Sequence, residues 1–185
     1  MMKKAAVAVL LVLALCLISS AQQDKSKRPS PPAQAQCKFS DGKTITVDYS
    51  SPRAKGRKIF GDLVPNGEVW RTGANEATTF VTTTAVSADG RDIPAGNYTI
   101  FTLPEQNKWT LIVNKKTGEW GIPYKYESEE LARVPMSVSK TSGPVENFTI
   151  RFDHTGGSCT MHLSWENTQA SVEFGEKNTN LPLQH

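Results

Sequence analysis

Residues 43–50 read Lys-Thr-Ile-Thr-Val-Asp-Tyr-Ser. Ile45, Val47 and Tyr49 fall on one side of an extended chain, and Thr44, Thr46 and Asp48 on the other, which is the period of two that a half-buried strand requires. Ser51-Pro52 ends the run. Toward the C-terminus the pattern recurs. Thr78 to Thr84 is threonine-rich around Phe80 and Val81, Ala88-Asp89-Gly90 is a hairpin turn signal, and Asp92-Ile93-Pro94-Ala95-Gly96 makes a second tight connection. Asn97 to Leu103 carries apolar side chains in both parities, Tyr98 and Ile100 opposing Phe101 and Leu103, which predicts a strand covered on both faces. Trp109, Leu111 and Val113 share a face. So do Val134, Met136 and Val138, then Phe148, Ile150 and Phe152, then Met161, Leu163 and Trp165 after a Gly156-Gly157 turn, with Val172 and Phe174 closing the series.

About eight short alternating runs, spaced by 8 to 15 residues, predict an all-β fold, an antiparallel β-sandwich or flattened barrel. One patch departs from the period. Ile59, Phe60, Leu63 and Val64 lie at helical spacing before Pro65, which predicts one short helical turn near Ile59 to Val64. Trp120 to Tyr126, W-G-I-P-Y-K-Y, contains Gly and Pro and reads as a loop.

The N-terminal end has its own logic. Met1-Met2-Lys3-Lys4 is basic, residues 5–18 are apolar, and Ser19-Ser20-Ala21 is small, so residues 1–21 read as a secretory signal peptide. The apolar run is short of the roughly 20 residues that a spanning helix needs. Cys16 follows Leu15, where a lipoprotein signal calls for a small residue. An exported chain, periplasmic or extracellular and without a membrane span after cleavage, is the expectation. Gln22 to Gln36 has three prolines and no large apolar side chain, and is expected to be a flexible leader. Residues 37–174 then form a single β domain, and 175–185 a flexible tail.

Charge and cysteines narrow the classes further. Of 21 Lys and Arg against 18 Asp and Glu, the signal segment holds only Lys3 and Lys4, leaving 19 against 18. A net charge near +1 supplies no general field for nucleic acid. A monomer is expected. Cys37 and Cys159 remain after cleavage, and an even count in an exported chain predicts a disulfide.

Between the runs at 43–50 and 78–84 lies the block richest in chemistry, G-R-K-I-F-G-D-L-V-P-N-G-E-V-W-R-T-G-A-N-E-A-T from Gly56 to Thr78. This block resembles the signature of a bacterial exported family filed as domain of unknown function 2911. The resemblance extends through Ile93 to Tyr98, Trp109 to Lys115, Glu119-Trp120-Gly121 and Leu163 to Thr168, nearly the whole folded body. It implies an exported β-rich domain and brings no activity, cofactor or catalytic residue with it.

Within the block, Arg57 and Lys58 sit where the first turn of a helix would disfavour cations. They fit either a bound carboxylate or phosphate, or salt bridges to Asp62, Glu68 or Glu76. Trp70, Arg71, Asn75 and Glu76 combine an aromatic face, a planar cation, an amide and a carboxylate. That set suits a sugar or an amino-acid-like ligand, unless Trp70 is core and Arg71 pairs with Glu76. The first expectation is therefore ligand binding, or a cell-envelope partner, through Arg57, Lys58, Trp70, Arg71, Asn75 and Glu76. A hydrolase using Glu76 with a second carboxylate or a histidine is the alternative, and a structural domain without a small-molecule site is the third. Asp153, His154 and His162 around the Gly156-Gly157 turn allow a metal reading, although His162 alternates with Met161 and Leu163 and points away from their face. No metal and no cofactor are expected. There is no G-x-S-x-G nucleophile context. Trp120, Tyr124 and Tyr126 could line a groove or plug the end of a sandwich.

Overall fold

In the computed structural model, which describes residues 24–177, nine strands join edge to edge in one antiparallel sheet. The strands are β1 Pro32–Lys38, β2 Thr44–Ser50, β3 Thr78–Thr82, β4 Val86–Ala88, β5 Arg91–Ile93, β6 Gly96–Pro104, β7 Trp109–Asn114, β8 Glu130–Thr155 and β9 Ser158–Glu176. Their spatial order is β1-β2-β3-β6-β7-β8-β9-β4-β5, so the β4–β5 hairpin leaves its sequence neighbours and extends the sheet beyond β9. The sheet does not close into a barrel. The expected signal segment and the last residues of the expected tail lie outside the described residues.

The sheet curls so that its two ends face each other as the layers of a sandwich. β8 pairs with β7 through its first residues and with β9 from Ser137 onward. Contacts of several kinds cross between the layers. Phe80 of β3 meets Phe174 of β9 with ring centroids 5.2 Å apart, the Ile150 N–H of β8 donates to the Tyr49 hydroxyl of β2 at 3.0 Å, and Cys37 of β1 is bonded to Cys159 of β9. That disulfide spans a sequence separation of 122, for which the chain-entropy model gives up to about 5 kcal/mol of stabilisation.

The alternation in β2 is realised as read, with Ile45, Val47 and Tyr49 buried in the main core. β6 and β7 are covered on both faces. Ile100, Leu111 and Val113 face the main core, whereas Phe101 and Ile112 join Ala77 in a second small core on the outer side, capped by Tyr124 and Tyr126. Several runs that read as separate strands are continuous. Ser142-Gly143-Pro144 resembles a turn, yet β8 stays extended through it, and the pairing with β9 is interrupted only by register shifts between Lys140 and Thr149. The Gly156-Gly157 turn is a true hairpin with both residues at positive φ, as a type I′ turn demands.

Two expectations change. The segment from Ile59 to Val64 is a hydrogen-bonded turn and contains no α-helix. The Ile59 carbonyl accepts from Asp62 N–H and Val64 N–H at 3.2 and 2.9 Å, and Gly61 has φ +84, outside the helical region. Ile59 is buried, Phe60 packs on Trp109 with centroids 4.7 Å apart, and Leu63 is left facing outward. The stretch read as a flexible leader is also structured from Asp24. Residues 32–36 lie in β1, paired with β2 from Pro32↔Ser50 onward. The composition argument counts buried side chains, but β1 is held by backbone ladder bonds, by small Ala33 and Ala35 facing the core, and by Gln34 and Gln36 bonding across to Asp48 and Thr46. As an edge strand it tolerates Pro32 at its first position. At the other end, Gly175 and Glu176, expected in the tail, pair with β4.

Candidate functional site

Trp70 continues the line of β3 beside β6, its N–H and C=O exchanging hydrogen bonds with Thr102 at 2.7 and 2.9 Å. Its indole stacks on Trp165 at 5.9 Å and donates to the Gly73 carbonyl at 2.9 Å, so Trp70 forms a fixed wall. In extended chain the next side chain points to the opposite face, which sends Arg71 outward. Thr72 follows with φ +56, a strained setting for a β-branched residue that costs about 1–3 kcal/mol. It is held there by a contact of its hydroxyl with Thr102 Oγ1 at 3.3 Å and by Thr78 Oγ1 donating to its carbonyl at 2.8 Å.

The loop after β7 closes over Arg71. Ala77 N–H donates to the Glu119 carbonyl at 3.1 Å, and Gly121, at φ +94, comes so near that a Cβ there would lie 2.9 Å from Ala77 Cβ and 3.1 Å from Arg71 Cβ. Only glycine allows both the conformation and the approach. The consequence is that Trp120 lies against Arg71, whose guanidinium carbon is 5.1 Å from the ring centroid, while Arg71 Nη1 donates to the Trp120 carbonyl at 3.4 Å. Among the described residues, Leu63, Trp120 and Ile122 are the large apolar side chains left exposed, at 45, 56 and 43 %.

Two adjoining cavities open between the Ile59–Val64 turn and this loop, sharing Leu63, Val64, Trp70 and Ile122. One, of about 360 Å³, contains Arg57 and Arg71. The other, of about 520 Å³, is lined also by Val69, Tyr124, Glu68 and Glu127. The pair of cavities therefore has two cations, Arg57 and Arg71, in one lining and two carboxylates, Glu68 and Glu127, in the other, with Leu63, Val64, Trp70 and Ile122 common to both.

Arg71 is half-buried, and among the described residues no carboxylate lies within 4 Å of it. Burial pushes its pKa down, with Glu76 opposing at longer range. Arg57 donates to the carbonyls of Ala54 and Arg53 at 3.0 and 2.6 Å and likewise meets no carboxylate among the described residues. Each guanidinium keeps unused donors out of five.

Of the six residues singled out in the sequence, Arg57, Trp70 and Arg71 share one cavity, and the other three do not. Lys58 is exposed and lines neither cavity. Asn75 Nδ2 donates to the Ser30 carbonyl at 3.0 Å. Glu76 accepts from Arg28 Nη1 at 3.0 and 2.8 Å and lies 3.2 Å from Lys25 Nζ. The alternative pairing of Arg71 with Glu76 is thus replaced by pairing of Glu76 with the N-terminal segment. Its own backbone N–H, then Arg28 and Lys25, hold the Glu76 carboxyl down at about 2 against the effect of burial. No second acid or histidine hydrogen-bonds it among the described residues, and Asp48 lines the same cavity as Glu76.

The histidines are not brought together. His154 pairs with Cys159 and His162 with Arg151, which puts the two rings on opposite faces of the ribbon. His162 Nδ1 is 2.8 Å from Ser171 Oγ. Its Nε2 lies 3.0 Å from Asp153 Oδ2 without the alignment of a hydrogen bond. Among the described residues no three His, Cys, Asp or Glu side chains cluster to hold a metal.

Sequence reasoning missed the acidic end of the groove, Glu68 and Glu127, and the role of Ile122. The available signal was W-G-I-P-Y itself, an apolar loop that leaves Trp120 and Ile122 exposed. The family described as "Protein of unknown function (DUF2911)" matches residues 30–174. No curated protein and no solved structure matches the chain. Among the described residues no helix is long and apolar enough to cross a membrane, a statement that does not bear on β-barrels.

Proposed function

The chain belongs to this family of unknown function, which supplies no reaction, and we propose from the groove that it is an exported binding domain that takes a small anionic ligand on Arg71 and Arg57. The observation that carries the reading is the half-buried Arg71 guanidinium lined up on Trp120 with no carboxylate within 4 Å. A half-buried cation that meets only an aromatic ring and one carbonyl at close range gains from an anion brought against it. An arriving carboxylate or phosphate meets a planar fork already oriented by the aromatic ring, and charge-assisted hydrogen bonds of this kind are about twice as strong as neutral ones. The strain at Thr72 and the close approach at Gly121 supply the rigid support that such a site needs.

Export rests on the residue pattern at 1–21 and is compatible with the Cys37–Cys159 disulfide. Cell fractionation of the tagged protein checks it.

Binding is tested by thermal shift and calorimetry with inorganic phosphate, acetate, citrate and free amino acids. At 100-fold excess over Kd a ligand stabilises by about 2.7 kcal/mol. Arg71→Ala should abolish the response and Arg71→Lys should weaken it. A response that survives Arg71→Ala, or no response from any anion, overturns the reading.

A further inference from the structure

The groove continues well beyond the arginines, and the chemistry of its far end selects a class of ligand. Building on the anion reading of Arg71, we infer that the groove takes a short apolar peptide with free ends, its terminal carboxylate on Arg71 and Arg57 and its amino group at Glu68 and Glu127. Two observations point this way. The walls between the charged ends are the exposed Leu63 and Ile122 with Val69 and Tyr124, surfaces that suit apolar side chains. The Tyr124 hydroxyl is already committed, donating to Glu130 at 2.6 Å. A sugar, with hydroxyls all along its length, would leave polar groups facing those walls, which is unfavourable.

The charge pattern separates a peptide from a lipid. A fatty acid would place its carboxylate on Arg71 but would run its alkyl chain toward two carboxylates, Glu68 and Glu127. A peptide brings a cation to the same place. Size argues for more than one residue, because the adjoining cavities, about 360 and 520 Å³, fall in the range of roughly 300–1,000 Å³ that suits drug-sized ligands. The two ends contribute unequally. Arg71 is half-buried, so losing the carboxylate should weaken binding roughly 10-fold or more. Glu68 and Glu127 are exposed, and losing the amine should weaken it only a few-fold.

The test is calorimetry on the purified full chain with the tripeptide Leu-Leu-Leu, its C-terminal amide, its N-acetyl form, decanoate and inorganic phosphate. The inference expects the free tripeptide to bind tightest, the amide to lose roughly 10-fold and the acetylated form a few-fold. A Glu68→Gln, Glu127→Gln double variant should weaken the free peptide a few-fold and leave the acetylated peptide unchanged. Decanoate binding as tightly as the tripeptide assigns the groove to lipid and overturns the inference. Phosphate binding that needs Arg71, with the free tripeptide no tighter than its C-terminal amide, overturns the inference and leaves the anion site standing. No binding by any probe removes both.

Discussion

The two oxygens of the Glu76 carboxylate accept from a single nitrogen of Arg28, at 3.0 and 2.8 Å, and this pair fastens the segment before β1 across the block that precedes β3. Lys25 adds a second cation at 3.2 Å, and Asn75 holds the Ser30 carbonyl. The N-terminal segment is thereby part of the folded domain.

The pair predicts an acid-sensitive contribution. The Glu76 carboxyl, held down first by its own backbone N–H and then by Arg28 and Lys25, has its folded pKa depressed from 4.5 to about 2, and a depressed carboxyl contributes stability that is present above the unfolded pKa and lost as pH falls toward the folded one. The window is therefore roughly pH 4.5 to 2. The Glu76 side chain is 43 % exposed, so solvent screening limits the effect to about 1 kcal/mol. Glu76→Gln should lower Tm at neutral pH by about 2–4 °C and should lack this component of the acid titration. Melting both proteins from pH 7 to pH 2, at low and high salt, checks it. A variant that melts with the parent throughout would show that the strap is held by β1 alone.

The period of two in β2 was enough to place Ile45, Val47 and Tyr49 in the core, because a one-residue slip would expose all three. The both-parity pattern of β6 foretold its two covered faces for the same reason. Other features depend on what a segment meets in space. Gln34 and Gln36 look like leader residues until β2 supplies a ladder for them. In the candidate site, Arg57, Trp70 and Arg71 were legible as a cluster because their chemistry is local to the block. Glu76 was misplaced since its partner Arg28 comes from 48 residues away, and the groove itself exists only where Leu63 and Ile122 converge.

Tyr49 predicts a measurable tie between layers. Its hydroxyl accepts the Ile150 N–H at 3.0 Å in a buried setting, covering a backbone group of β8 that faces β2. Tyr49→Phe keeps the ring contact with Phe148, whose centroid is 5.6 Å away, and removes only the acceptor. An orphaned buried donor costs about 1–3 kcal/mol. Urea denaturation should show that loss, and hydrogen exchange should quicken at the Ile150 amide. Unchanged exchange there would mean that water replaces the hydroxyl without penalty.

Gly121 connects fold and site most directly, and a pair of glycine substitutions isolates how. Gly121 has φ +94, and an added Cβ would meet Ala77 Cβ at 2.9 Å, Arg71 Cβ at 3.1 Å and Phe101 Cε1 at 3.2 Å. Gly118 on the same loop has φ +82 and nothing within 4 Å of the added atom. Gly118→Ala therefore measures backbone strain alone, about 1 kcal/mol. Gly121→Ala adds overpacking against backbone-proximal atoms that cannot swing aside, for a total of about 2–4 kcal/mol. The strained loop should also lift Trp120 from Arg71, opening the 5.1 Å contact that orients the guanidinium. Urea denaturation of both variants gives the stability difference, and tryptophan fluorescence with the anion titration gives the effect on the site. Equal destabilisation of the two, with ligand response intact in both, would show that the loop has no need of its close approach at Gly121.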